Sequence, residues 1–158
     1  LTVEAVKPFW ETLPLDHMSA QQWESLCDGC GLCCLQKLED ESDGEIYYTD
    51  VACRLLDNNT CCCKQYADRA AHVEQCMVLT PNNLAQSLRW LPDTCAYKLL
   101  AQKQSLPVWH PLVSGDSARE SGVHAAGVSA RGRCVSELQV DADRLDERVV
   151  YWVSGFGE

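Results

Sequence analysis

Seven cysteines packed into two short runs, Cys27-Asp28-Gly29-Cys30-Gly31-Leu32-Cys33-Cys34 and Cys61-Cys62-Cys63, constrain this chain more than any other feature. With Cys53, Cys76, Cys95 and Cys134 the 158-residue sequence carries eleven thiols. Thiolate is the softest common protein ligand, so such density points to metal. Size alone does not call for covalent staples. At 158 residues and 46% hydrophobic composition the chain can bury a modest core, unlike disulfide miniproteins well below about 80 residues. Disulfides are further disfavoured because eleven is odd and vicinal cysteines make strained bridges. A thioredoxin-like C-x2-C redox pair needs a βαβ context, and none is apparent.

Thirteen basic against twenty-three acidic residues give a net charge of −10. Counterion-release binding to phosphate backbones requires the opposite sign, so neither nucleic acid nor an anionic membrane is expected as a partner. No run approaches the roughly 20 apolar residues that span a bilayer. Leu1 to Pro8 lacks a basic segment followed by an apolar stretch, so no signal peptide is expected. The compartment expected is the cytoplasm, where thiols stay reduced and free to bind metal ions.

Composition divides the chain into residues 1–26, with the anchors Phe9, Trp10 and Trp23; residues 27–100, with ten cysteines; and residues 101–158, with only Cys134 and a glycine-rich loop from Ser114-Gly115 to Gly132. Ser19 followed three residues later by Gln22 reads as a capping box opening a helix into Leu26 and Cys27. Leu35–Leu38 and Glu45–Val51 flank the turn residues Ser42-Asp43-Gly44, which predicts a hairpin. Lys64 to Val73 has helical composition. Thr80-Pro81 predicts a helix start, with Leu84, Leu88 and Leu91 on one face, and Asp93 or Thr94 is expected to cap a helix through Leu100. Gly122–Val128 reads as strand or loop, and Arg148–Val153 as a short apolar strand. The expected fold is a small single α+β domain, organised around a multi-cysteine metal cluster, with short helices and a small antiparallel sheet.

Cys27, Cys30 and Cys33 repeat at C-x2-C-x2-C, a spacing whose turns aim backbone N–H groups at the sulfurs. Gly29 and Gly31 supply the positive φ such knuckles need. Zinc asks for four donors in a tetrahedron. An iron–sulfur cluster is as legible, because the same triple opens bacterial ferredoxin motifs, though their Cys-x3-Cys-Pro continuation is missing. Adjacent Cys33 and Cys34 diverge, which suits two ions or a bridge and so a multinuclear site. Cys53, Cys61, Cys63, Cys76 and Cys95 bring the candidates to nine, enough for two four-cysteine sites with one left over. Cys61 and Cys63 are expected to face one way and Cys62 the other. Cys62 and Cys134 are expected to be non-ligands, and Cys95 reads equally well as a small buried hydrophobe.

His110, between Pro107 and Pro111, reads as a packed or solvent-facing histidine rather than a ligand. Tyr66 and Arg69 are placed to buttress the cluster. No nucleophile elbow, phosphate-cradling loop or H-E-x-x-H is present. Catalytic residues are therefore not assigned.

Five ordered motifs carry a resemblance: the first cysteine run; Val51-Ala52-Cys53-Arg54-Leu55; Thr60-Cys61-x-Cys63-x-x-Tyr66-x-x-Arg69; Leu91-Pro92-x-Thr94-Cys95-Ala96-Tyr97; and Leu106-Pro107-x-Trp109-His110-Pro111-Leu112. From about Phe9 to about Gly115 they resemble the YcgN-type branch of the bacterial cysteine-cluster (CxxCxxCC) family. The resemblance implies zinc or iron chelation, with Cys27, Cys30, Cys33, Cys34, Cys53, Cys61, Cys63, Cys76 and Cys95 in the pattern and Cys62 and Cys134 outside it. It implies a cysteine-cluster domain over residues 1–115 and a C-terminal extension over 116–158, packed on the same domain. A similar motif in flagellin lysine methylases is thought to hold an iron–sulfur cluster. Three functions follow as expectations: a metal-binding protein organised by its thiolates, an iron–sulfur protein in electron transfer or protein modification, or an interaction module whose tail binds a partner.

Overall fold

Ser19 and Gln22 form the expected capping box: Ser19 Oγ accepts from the Gln22 N–H at 3.1 Å, and Gln22 Oε1 accepts from the Ser19 N–H at 2.9 Å. The computed structural model describes residues 6–73, 76–115 and 122–153. Helices α1 (Phe9–Thr12) and α2 (Ala20–Ser25) lead into strands β1 (Leu35–Glu39) and β2 (Ile46–Ala52), then the two-residue strands β3 (Leu56–Asp57) and β4 (Cys62–Cys63). Helices α3 (Arg69–His72), α4 (Leu84–Ser87), α5 (Ala96–Ala101), α6 (Pro111–Ser114) and α7 (Gly122–Ala125) follow, and β5 (Val135–Ser136) comes last. None of these helices is long and apolar enough to cross a membrane.

The hairpin is the one the sequence predicts. Asp40 Oδ1 accepts from the Ser42 N–H at 2.8 Å, Gly44 adopts φ +73°, and β1 pairs antiparallel with β2. β2 is the central strand, its pattern rich in buried β-branched and aromatic residues: Ile46, Tyr48, Thr49 and Val51 all lie inside. The sheet is mixed rather than purely antiparallel, because β5 joins the other edge of β2 parallel, Val51 opposite Val135. A short turn forces antiparallel pairing, whereas the long connection to β5 permits either direction.

Five local expectations change. Lys64–Val73 forms one 3-10 turn over Tyr66–Asp68 and the single-turn α3, not a continuous helix. Thr80 and Asn83 exchange reciprocal side-chain bonds (2.8 and 3.3 Å), which makes a turn and delays α4 to Leu84. Asp93 bonds Lys98 Nζ at 2.8 Å, leaving Cys95 as the N-cap residue of α5. Gly122–Val128 is neither strand nor extended loop but α7, closed by Gly127 at φ +73° with the Val128 N–H on Val123 O. Of the expected strand at Arg148–Val153, only a bridge between Val149 and Thr49 forms, because Arg148 ends a run of 3-10 turns and clamps Asp50. The beginning of the C-terminal extension, residues 116–121, lies outside the described residues.

Two apolar clusters share the interior. One lies on the sheet, with Leu32, Leu35, Ile46, Tyr48 and Leu56 meeting Val123, Ala130 and Val153 from the C-terminal segment. The other joins the helices through Trp23, Leu26, Leu84, Leu91, Ala96, Tyr97 and Leu106. The result is a small single α+β domain of short helices and a small sheet.

Candidate metal centre

The first cysteine run begins where α2 ends. Leu26 is fully buried, and its carbonyl accepts from His110 Nε2 at 2.8 Å, while His110 Nδ1 accepts from the Leu112 N–H at 3.0 Å. These partners fix the Nε2–H tautomer, so His110 is a buried strut beneath the run, with neither nitrogen left over for a metal. Gly29 (φ +78°) and Gly31 (φ +73°) then swing the chain through the two knuckles. Asp28 Oδ1 accepts from the Cys30 N–H at 3.0 Å, while Asp28 Oδ2 is buried with no hydrogen-bond partner among the described residues. Burial raises the affinity of Asp28 for a proton, against the opposing pull of the Cys30 N–H and His110.

The remaining thiols arrive from β2 to α5. The Cys53 N–H donates to Cys34 O at 2.8 Å, so Cys53 leaves β2 directly beside the end of the first run. β3 and β4 pair Leu56 with Cys63. Cys61 adopts φ +60°, which breaks the alternation expected of an extended turn, and Cys61, Cys62 and Cys63 all border the same space. Cys61 Sγ reaches Cys30 O at 3.2 Å. The Arg54 guanidinium donates to His72 O at 2.7 Å and to Glu137 Oε1 at 3.5 Å, tying α3 and the C-terminal segment to the Cys53 loop.

These segments enclose an open cavity of about 1160 Å³. Seven of the nine sequence candidates line it: Cys27, Cys33, Cys34, Cys53, Cys61, Cys63 and Cys76. Cys30 and Cys95 stand back from its surface, and Cys62 joins the lining although the motif pattern omits it. Cys134 is buried elsewhere, its thiol on Asn58 Oδ1 at 3.1 Å. Cys27 and Cys33 are exposed, but their exposed surface faces this cavity. Among the described residues no three Cys, His, Asp or Glu side chains are gathered tightly enough to hold one ion as they stand. Each thiol turns about one soft torsion, χ1. The donor chemistry fits a borderline or soft metal, since sulfur predominates and the unpartnered Asp28 oxygen adds only one hard donor.

The electrostatics separate Cys33 from the others. Hydrogen bonding from Cys34 lowers the Cys33 thiol to about 6 against the desolvation of the surrounding protein, helped by Lys37 and Arg69, and the same contact pushes Cys34 up. Burial drives Cys27, Cys30 and Cys76 upward, and Cys95 to about 12. Lys37 donates to Cys33 O at 3.1 Å and Leu35 O at 2.8 Å, with its ammonium 4.9 Å from the Tyr48 ring centroid. Arg69 stacks on Tyr66 at 4.1 Å, and the Tyr66 hydroxyl contacts Glu24. Neither Lys37 nor Arg69 pairs with a carboxylate among the described residues. Two cations thus lend positive charge to the Cys33 surroundings in a strongly acidic chain. Arg69 and Tyr66 were legible as neighbours from the motif spacing. Lys37, Arg54, Glu24 and Asp28 were not, although Asp28 inside a C-x2-C knuckle is itself a turn-forming signal.

A family model described as "Putative zinc- or iron-chelating domain" (CxxCxxCC) matches residues 26–96. A UPF0260 protein of Azotobacter vinelandii is 53% identical over 146 residues, covering 92% of this chain and 95% of the relative. A UPF0260 protein of Gluconobacter oxydans is 53% identical over 145 residues, covering 92% and 85%. One from Rhodopseudomonas palustris is 50% identical over 159 residues, covering 96% and 91%. No solved structure matches. With about half of all positions identical across nearly the full length of such relatives, the chain belongs to the UPF0260 family and carries its CxxCxxCC domain.

Proposed function

We propose that this protein binds zinc or iron through a multinuclear thiolate centre drawn from Cys27, Cys30, Cys33, Cys34, Cys53, Cys61, Cys63, Cys76 and Cys95. One observation carries the reading: seven of these thiols, distant in sequence, border a single cavity. All nine come from residues 1–115, the proposed cysteine-cluster domain, while 116–158 serves the fold. Metal ions are the proposed partners and the cytoplasm the proposed compartment, where the thiols would stay reduced. Structural zinc contributes on the order of 10 kcal/mol or more of folding free energy, as much as the net stability of a typical domain.

A second reading, an iron–sulfur centre serving electron transfer or a modification reaction, draws support from the cavity itself. At about 1160 Å³ and open to solvent it exceeds what ions alone would fill, leaving room for a substrate. Anomalous diffraction at the zinc and iron edges, on protein purified without oxygen, tests both. Zinc peaks in a colourless protein support the first, and iron peaks with broad visible absorbance the second. Protein that retains neither metal and cannot be loaded with either rejects the reading altogether.

A further inference from the structure

Besides its thiols, the cavity has two kinds of wall. Val73, Met77, Leu79 and Trp90 line it with apolar surface that stays partly exposed. Lys37, Arg54 and Arg69 line it with positive charge. Its volume of about 1160 Å³ lies at the top of the range of small-molecule pockets, roughly 300–1,000 Å³. Apolar walls with a few fixed polar groups are also the make-up of such pockets.

The charges in this lining are unevenly engaged. Its acids are Glu24 and Glu137. Glu24 takes the Tyr66 hydroxyl, and Glu137 takes the Arg54 backbone N–H at 3.0 Å and its guanidinium at 3.5 Å. Lys37 and Arg69 are left with no carboxylate among the described residues. Elsewhere Arg89, Lys98 and Arg148 each have one, in Glu39, Asp93 and Asp50. In a chain of net charge −10 carboxylates are not scarce, so two cations without one stand out.

Both cations are held in place without being saturated. Lys37 Nζ gives two of its three hydrogens to Cys33 O and Leu35 O and lies over the Tyr48 ring. Arg69 stacks on the Tyr66 ring with Nη1 on Tyr66 O at 2.8 Å, which leaves Nη2 and Nε without a bond among the described residues. Positioned donors of this kind make strong charge-assisted bonds to an oxyanion and lose little freedom in doing so.

We infer that the cavity binds a small organic anion, its carboxylate or phosphate on Lys37 and Arg69 and its apolar body against Val73, Met77, Leu79 and Trp90. The inference rests on the cavity that the second reading uses, not on any ion within it. An inorganic oxyanion would satisfy the cations alone and a neutral apolar molecule the walls alone; an organic anion uses both.

Isothermal titration calorimetry tests this on the full chain, purified without oxygen, with metal content measured in the same sample. The probes are phenylacetate, phenyl phosphate, inorganic phosphate and benzyl alcohol. At least one aromatic anion should bind about tenfold more tightly than both inorganic phosphate and benzyl alcohol, and the tighter of the two identifies the head group. Lys37→Met and Arg69→Met should each weaken that anion about tenfold and leave benzyl alcohol unchanged, a selectivity that a packing role would not move. Arg69 sits on a single-turn helix with no buried residue, so its variant keeps the test open if Lys37→Met does not fold. Three results overturn the inference: no binding of either aromatic anion, inorganic phosphate or the alcohol binding as tightly as they do, or full anion affinity in a folded variant. Protein that holds metal yet binds no anion leaves metal binding standing and sinks this inference; protein that binds the anion but cannot hold metal does the reverse.

Discussion

Gly31 lies so close to Cys61 that a Cβ on the glycine would sit 2.4 Å from the Cys61 sulfur, and Gly31 also holds φ +73°. Both facts forbid a side chain. Gly31→Ala should destabilise the fold by about 3 kcal/mol, combining overpacking with left-handed backbone strain. Adding Cys61→Ala should relieve the steric part and leave roughly 1 kcal/mol of backbone cost. Urea unfolding of the single and double variants measures the split; equal losses in both would mean that the contact does not matter.

His110→Ala would leave Leu26 O and the Leu112 N–H without partners in a fully buried site. Two orphaned backbone groups and a cavity together should cost about 4 kcal/mol. Because Leu26 adjoins Cys27, metal retention should fall with stability. Equilibrium denaturation alongside metal analysis checks this, and an unchanged midpoint contradicts it.

Lys37 and Arg69 place positive charge near Cys33, and four thiolates around a divalent ion leave net negative charge. Replacing either cation by Met, which keeps the aliphatic bulk, should weaken metal retention about tenfold, equal to about 1.4 kcal/mol. Competition with a metallochromic chelator reads the affinity, and melting points report whether the fold is intact. Wild-type affinity in Lys37→Met would show that the cation is only packing.

A chain ending at Gly115 keeps every proposed ligand yet loses β5 and the buried residues Val123, Ala130, Cys134 and Val153. It should fail to fold even when metal is supplied, because the sheet cluster loses one wall. A cooperative melt in the truncated chain would show instead that the C-terminal segment is dispensable.

What the sequence shows of this molecule is what neighbours in the chain decide. Ser19 with Gln22, and Ser42-Asp43-Gly44 between alternating apolar residues, act within a few positions, so the capping box and the hairpin were readable. Knuckle spacing is local as well, and it singles out Cys27, Cys30 and Cys33 as proposed ligands. The parallel entry of β5, the promotion of Cys95 over Asp93 and Thr94 as cap, and the helix at Gly122 were not. Each depends on a distant or competing partner: β2 for Val135, Lys98 for Asp93, and Trp109 against Gly122, where a Cβ would sit 2.8 Å away.

The pairing of Val51 with Val135 has a kinetic corollary. More than eighty residues separate the two, so the last strand docks only after a costly loop closure, and folding should be slow for so small a chain. On the ribosome, Cys27 through Cys95 emerge before the segment that completes their sheet has been translated. During that interval the nascent thiols meet oxidants and stray cations without the shelter of a finished core, and early capture of the right ion would guard them while synthesis proceeds.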